Sequence, residues 1–146
     1  MTKFVHLHLH TEYSLLDGLS KIKRLFSYVK EKGMDSVAIT DHGAMYGAID
    51  FFKEGKKQEV KPIIGMEGYM TNFPLDDEKK VKDNYHLTLL AKDYQGYKNL
   101  MNLTSIAHLK GYYYRPRFTK DILEKYSKGI ICLSGCPQAE VPQYLI

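Results

Sequence analysis

Cysteine, tryptophan and net charge are all scarce in this sequence. It has two cysteines and no tryptophan in 146 residues, and 21 basic against 17 acidic side chains give a formal charge of only +4. With two cysteines, a fold cross-linked by several disulfide bonds is not expected. The small positive charge is compatible with a nucleic-acid partner but does not by itself indicate one.

Long apolar runs and a signal peptide are also missing. No apolar stretch approaches the roughly 20 residues of a membrane-spanning helix, and histidines interrupt the first apolar residues. We therefore expect a protein of the reducing cytoplasm that has no membrane partner. A hydrophobic fraction of 44% and a charged fraction of 26% are typical of a soluble globular domain.

Histidine is concentrated at the start of the chain. In the stretch FVHLHLH, the residues His6, His8 and His10 occupy every second position. Two residues is the period of a β-strand, so a strand over residues 4–10 would carry three imidazoles on one face. A buried imidazole face needs a polar or metal partner, and this requirement raises the question of a metal site.

Strands and helices alternate along the rest of the chain. Further strands are predicted over residues 36–40, 61–70, 86–91 and 129–133. Helices are predicted between Ser20 and Gly33, over 45–54, over 97–108 and from Thr119, and polar residues 72–84 are predicted to form a surface loop. About five β/α units favour a parallel sheet, open or closed into a barrel. Since a complete barrel takes roughly 250 residues, we expect residues 1–146 to be a fragment of something longer.

Side chains that can bind metal fall near the ends of these strands. They are His8, His10, Asp17, His42, Glu67 and Cys136. In a parallel β/α sheet, strand ends of one polarity meet on one face, where active sites are built. A mixed set of this size is too rich for one structural zinc. It suits two or three ions that activate water and hold a phosphate ester.

Three residues leave alternatives open. Asp17 could cap the turn before Gly18 instead of binding metal. Asp41 could orient a neighbouring ligand rather than be one. His86 begins its predicted strand instead of ending it, so either the strand starts earlier or this imidazole enters the site from deeper in a barrel.

A basic and aromatic stretch, KGYYYRPRF over residues 110–118, bears on nucleic acid. Its three tyrosines together with Arg115 and Arg117 are side chains that hold single strands by stacking and by phosphate pairing. The alternative is a structured loop whose tyrosines pack inward while both arginines stay in solvent.

Five stretches, in order along the chain, resemble the PHP (polymerase and histidinol phosphatase) domain of bacterial DNA polymerase III alpha subunits. They are HLHLHTEYSLLDG, AITDHGAMYGAIDF, KPIIGMEGYM, HLTLLAKDYQGYKNL and GIICLSGCPQAEVPQ. The likeness runs nearly end to end and implies that residues 1–146 are the N-terminal part of this domain. TEYSLLDG and HLTLLAKD are specific to the polymerase branch, whereas the HxH and TDH motifs alone indicate only the wider superfamily.

The resemblance implies a distorted (β/α)7 barrel of the TIM type, with two or three divalent ions (zinc, manganese or iron) at the strand ends. The implied ligands are His8, His10, Asp17, His42, Glu67, His86 and Cys136. His6 precedes the ligand pair and would be a packing or supporting residue. No ligand is substituted in the span covered, but the family's later Asp-x-His pair does not follow Cys136 here.

The function implied by the resemblance is that of a metal-dependent phosphodiesterase within a DNA-directed DNA polymerase, removing mispaired nucleotides from primer 3′ ends. The implied partners are DNA, the rest of the polymerase alpha subunit and a separate proofreading exonuclease. Two alternatives are a free-standing phosphatase for a small phosphate monoester and a non-catalytic scaffold. The scaffold would bind metal to stabilise the polymerase and hold the proofreading subunit.

Overall fold

The computed structural model describes residues 4–15, 17–76, 81–135, 137 and 139–145. The helices are α1 (Ile22–Glu31), α2 (Ala48–Gln58), α3 (Tyr94–Leu109), α4 (Lys120–Lys125) and α5 (Glu140–Gln143). The strands are β1 (Ser36–Ile39), β2 (Lys61–Met70), β3 (Tyr85–Ala91), β4 (Tyr112–Tyr113), β5 (Arg115–Phe118) and β6 (Ile130–Leu133). These bounds confirm the four strands predicted after residue 35.

The sheet is mixed, with β2 at its centre. β1 and β5 pair with β2 in parallel, whereas β3 runs antiparallel both to β2 and to β6. The prediction of a parallel sheet is therefore wrong for β3. A parallel return needs a long crossover, usually a helix, and the described residues between β2 and β3 (71–76 and 81–84) contain no helix. The chain turns back instead.

Residues 4–10 do not form the regular strand that the histidine spacing predicted. Within this described segment, a single parallel bridge joins His6 to Val37. The Ala38 N–H donates to the His6 carbonyl at 2.8 Å, and the Thr40 N–H donates to the Leu9 carbonyl at 2.9 Å. The segment therefore runs beside β1 and is attached at intervals, without a continuous ladder.

Two helices differ from their predicted bounds for local reasons. α2 continues through Gly55, which was predicted to follow it, and ends where Glu59 adopts the left-handed conformation. Gly55 is buried against the Pro62 ring, where an added Cβ would lie 3.0 Å from three ring atoms, so this glycine serves packing and does not end the helix. α3 begins at Tyr94, earlier than predicted, because the Asp93 side chain accepts the Gly96 N–H and caps the helix.

Helices and sheet meet in two apolar clusters. Helix α3 packs on β2, β3 and β5 through Met66, Met70, Leu87, Leu89, Leu100, Leu103, Ala107 and Phe118. Helices α1 and α2 pack on β1 through Ile22, Phe26, Val29, Val37, Ile39, Phe51 and Val60. Among the described helices, none has both the length and the apolar character needed to cross a bilayer.

The two faces of β2 have different roles. Met66 and Met70 lie in the cluster under α3, so the intervening Glu67 and Tyr69 point to the opposite face. Residues directly opposite each other in an antiparallel pair share a face. The partner of Tyr69 on β3 is His86, which places this imidazole on the same face as Glu67.

Gly96, in the first turn of α3, offers a test of this packing. A Cβ added there would lie 1.8 Å from the Gly129 carbonyl oxygen, and backbone atoms cannot move aside as a side chain can. We expect Gly96→Ala to destabilise the protein by about 1–3 kcal/mol, measured by thermal or urea unfolding. Ser105→Ala, on the exposed side of the same helix, should change stability little. Equal stability of both variants would contradict the close approach of α3 to Gly129.

Candidate metal centre

The carboxylate of Glu67 is the centre of a cluster of imidazoles. Glu67 lies on β2 and is only 4% exposed. Its Oε2 is 2.7 Å from Nε2 of His8 and 3.4 Å from Nε2 of His10. One ligand atom from each of these three residues lies within 4.8 Å of the other two. The three side chains are therefore close enough to share one cation.

His42 extends the cluster towards Asp17. It follows β1 and continues that strand's register, since an isolated parallel bridge joins it to Glu67. Its Nδ1 lies 2.8 Å from Oε1 of Glu67, and its Nε2 lies 2.7 Å from Oδ2 of Asp17. The imidazole therefore connects a buried carboxylate with an exposed one. The Asp17 side chain thus contacts a histidine of the cluster, and its role as a metal ligand stays a prediction.

The electrostatics of the cluster follow from this arrangement. Burial alone would raise the pKa of Glu67, but hydrogen bonds from His10 and His8 and the charge of His42 hold its pKa well below the ordinary range. The hydrogen bond to Glu67 in turn raises the pKa of the His10 imidazole, and burial opposes that rise. Glu67 is thus an ionised carboxylate whose charge is matched by nitrogen groups.

The cluster is closed on one side and open on the other. The rings of His10 and His42 stack at a centroid distance of 4.0 Å, and each contacts the carboxylate of the buried Glu67. The side chains of His8 and Asp17 are 41% and 58% exposed, against 5% for Glu67. Solvent therefore reaches the cluster from the side of His8 and Asp17.

A hydrogen-bonded turn after His10 attaches the first segment to β1. The buried Asp41 carboxylate accepts the Thr11 N–H at 2.6 Å, the Thr11 hydroxyl at 2.8 Å and the Ser14 hydroxyl at 3.1 Å. These contacts agree with the interpretation of Asp41 as an anchor rather than a ligand. Sequence reasoning missed Ser14, whose only signal was its position four residues after His10.

Tyr69 is a second residue that sequence reasoning missed. Its hydroxyl lies 2.8 Å from Nδ1 of His42, on the side of the imidazole that also faces Glu67. Burial raises the pKa of Tyr69 and the negative charge of Glu67 raises it further, so the phenol keeps its hydrogen. Its position two residues after Glu67 in a strand was a usable signal, because it assigns both side chains to one face.

His86 and Cys136 complete the set of sequence candidates. Because β3 is antiparallel and begins at Tyr85, His86 lies at the carboxyl end of β2, opposite Tyr69. The strand thus starts earlier than predicted, and the position of His86 at its beginning is explained. His86 is not in the described group of three that lies within 4.8 Å. Cys136 lies outside the described residues.

The two arginines of the KGYYYRPRF stretch have different environments. Arg117 is 4% exposed, and its guanidinium donates to the carbonyls of Gly111 and Val81. Arg115 is exposed and donates to the Tyr69 hydroxyl at 3.3 Å. Tyr112 and Tyr114 are more than 60% exposed. The loop alternative is therefore wrong for Arg117, which is buried, and for Tyr112 and Tyr114, which do not pack inward. Arg117 has a structural role, which also argues against its predicted contact with nucleic acid, and the contact predicted for Arg115 stays a prediction.

Comparison with solved structures agrees with a mixed α/β fold of this kind. A protein of Bifidobacterium adolescentis assigned to the metal-dependent phosphoesterases superposes with a TM-score of 0.50 at 18% sequence identity. The match covers 74% of this chain and 35% of that protein. At this identity the likeness concerns the fold alone.

Comparison of sequences gives much closer relatives. DNA polymerase III subunit alpha of Helicobacter pylori (strain ATCC 700392 / 26695) is 56% identical over 142 residues, and that of Campylobacter jejuni is 54% identical over 145 residues. These matches cover 97% and 99% of this chain but only 12% of each relative. The model of the PHP domain matches residues 6–146. The chain therefore belongs to the PHP domain family.

Proposed function

We propose that this chain is the metal-binding PHP region of a bacterial DNA polymerase III alpha subunit and hydrolyses phosphodiester bonds at primer 3′ ends. The observation that carries the proposal is the buried Glu67 carboxylate with His8 and His10 directed at it. The identity to polymerase alpha subunits supports the DNA substrate and a cytoplasmic setting. We further infer that the sheet belongs to a distorted (β/α)7 barrel.

The donor set fits divalent metal ions. Imidazole nitrogens and carboxylates are the ligands that zinc, manganese and iron accept. In this arrangement His8, His10 and Glu67 would hold one ion, while His42 and Asp17 supply further donors for a second. His86 and Cys136 are the remaining ligands that we propose. Bound ions of this kind lower the pKa of water and neutralise a phosphate ester.

The protein's own residues prepare the site for such a substrate. The β2 backbone and the burial of Glu67 fix the carboxylate, and the stacked His10 and His42 rings fix two imidazoles beside it. The open side at His8 and Asp17 gives access to a phosphate. This access favours hydrolysis over a purely structural metal site, since structural sites are closed.

Replacement of His8 tests the metal site directly. We expect the wild-type protein to carry several metal equivalents and His8→Ala to carry fewer without unfolding, measured by elemental analysis after dialysis and by circular dichroism. His6→Ala is the matched control, because the His6 ring packs on Phe4 at 4.7 Å and lies outside the group. Unchanged metal content in His8→Ala would remove His8 from the site.

Chelation of the full-length protein distinguishes catalysis from a scaffold role. We expect the metal-loaded protein to shorten a primer with a 3′ mismatch, and metal-free protein to lose this activity until metal is restored. The measurement is gel analysis of a labelled primer, with any separate exonuclease subunit removed. If chelation lowers the melting temperature but the loaded protein never shortens the primer, the domain is a scaffold.

Arg115 is an exposed cation that is connected to His42 of the cluster through the hydroxyl of Tyr69. We expect Arg115→Ala to weaken binding of single-stranded DNA and to reduce the salt dependence of log Kd by about 0.7, the contribution of one phosphate contact. Fluorescence anisotropy at several salt concentrations measures both quantities. Lys98→Ala, on α3 beside Tyr94, is the control, and an equal effect of both variants would exclude a specific contact at Arg115.

A further inference from the structure

We infer that Ser14 and Asp41 are positioning residues for the metal centre, because they hold a hydrogen on Nδ1 of His10 and leave its Nε2 free to bind a cation. The inference rests on the metal binding proposed above. Neither residue belongs to the group of His8, His10 and Glu67. Both act through His10, from the side of the ring that faces away from Glu67.

The hydroxyl of Ser14 touches three polar groups. Ser14 is 2% exposed, and its Oγ lies 3.1 Å from Oδ1 of Asp41, 3.1 Å from the backbone nitrogen of His42 and 3.4 Å from Nδ1 of His10. A hydroxyl has one hydrogen to donate and two lone pairs that accept. The His42 N–H can only donate, so it takes one lone pair. One hydrogen and one lone pair remain for Asp41 and His10.

Asp41 determines which of the two partners receives the hydrogen of the Ser14 hydroxyl and which faces its lone pair. Its carboxylate is 1% exposed and accepts the N–H and the hydroxyl of Thr11 on different oxygens, at 2.6 and 2.8 Å. Hydrogen bonds to an ionised carboxylate are stronger than those between neutral groups, so Ser14 donates its hydrogen to Asp41. The last lone pair of Ser14 then faces Nδ1 of His10, and this nitrogen must carry the hydrogen.

The consequence is a fixed tautomer of His10. In the structure, Nε2 of His10 lies 3.4 Å from Oε2 of Glu67 and also donates a hydrogen to that carboxylate. A cation that binds at Glu67 displaces this hydrogen, and the neutral imidazole that remains has its hydrogen on Nδ1 and its lone pair on Nε2. Metal binding requires this lone pair, and the hydrogen bond at the other ring nitrogen determines which nitrogen carries it. Without Ser14, the hydrogen is free to occupy either nitrogen and the ring loses one of its supports.

The same hydroxyl also joins two segments that carry candidate ligands. It holds the backbone of His42, which follows β1, and the ring of His10, which belongs to the first segment. The distance between the two imidazoles, whose rings are 4.0 Å apart, is therefore set in part by Ser14. A lost hydroxyl should disturb the metal site more than it disturbs the rest of the fold.

Metal affinity of the full-length protein tests the inference. Zn²⁺ is titrated against a chromophoric chelator, and we expect Ser14→Ala to bind it roughly 10- to 100-fold more weakly than wild type. Asp41→Ala should show a similar loss. Asp41→Asn should restore most of the affinity, because the Thr11 N–H directs the amide oxygen to the position that accepts from Ser14.

The matched control is Thr11→Val. This variant removes the hydroxyl bond to Oδ2 of Asp41 and the acceptor of the Tyr13 N–H but leaves the contacts of Ser14 intact. It should lower the melting temperature, as Ser14→Ala does, and keep wild-type zinc affinity. Should Ser14→Ala not fold, Ser14→Cys keeps the side-chain size with a weaker acceptor and should bind zinc less tightly than wild type.

The outcomes separate the inference from the proposed function. Absence of zinc binding by the wild-type protein would overturn the metal site itself. Wild-type binding with equal affinity in Ser14→Ala, or in Ser14→Cys if that variant is the one that folds, would overturn only the role of Ser14. An equal loss of zinc affinity in Thr11→Val and Ser14→Ala would show that zinc binding depends on the general stability of the turn. It would then not depend on the position of the hydrogen on His10.

Discussion

The burial of one charge, the carboxylate of Glu67, constrains the rest of this site. An unpaired carboxylate inside a protein costs several kcal/mol, and Glu67 is 4% exposed. Nitrogen groups from two distant parts of the sequence meet this requirement: His8 and His10 from the first segment and His42 from the end of β1. The pairing of Glu67 therefore brings the first segment, β1 and β2 together at one place. It also concentrates donors that a divalent cation can use.

The antiparallel course of β3 determines what else reaches this place. If β3 ran parallel to β2, its carboxyl end, with Leu90 and Ala91, would lie beside the cluster. The antiparallel strand presents its beginning, so His86 stands opposite Tyr69. The same reversal sets the position of α3, whose first turn approaches Gly129 at the far end of the sheet. The direction of one strand thus decides which side chains surround the cluster and which lie remote from it.

The polar contacts around the cluster form two layers with different exposure. The outer side, with His8 and Asp17, faces solvent, whereas the inner side is a set of buried hydrogen bonds that Thr11 and Ser14 donate to the carboxylate of Asp41. Buried polar groups are retained when every donor and acceptor is matched, and Asp41 satisfies this with three bonds. The rigid inner layer holds the imidazoles in place, while the outer layer remains accessible to a ligand.

The sequence by itself determined the local features of this protein. Four strands, the stop of α1 before Gly33 and Thr119 at the start of α4 followed from apolar runs, glycine and capping residues, which act over a few neighbouring positions. The candidate donors His8, His10, His42 and Glu67 were also recognisable, from histidine spacing and from their places near strand ends. Only the tertiary structure decided the direction of β3, the interrupted pairing of residues 4–10, the burial of Arg117 and the part played by Ser14. Each of these depends on which distant segment lies alongside, and no local pattern of residues contains that information.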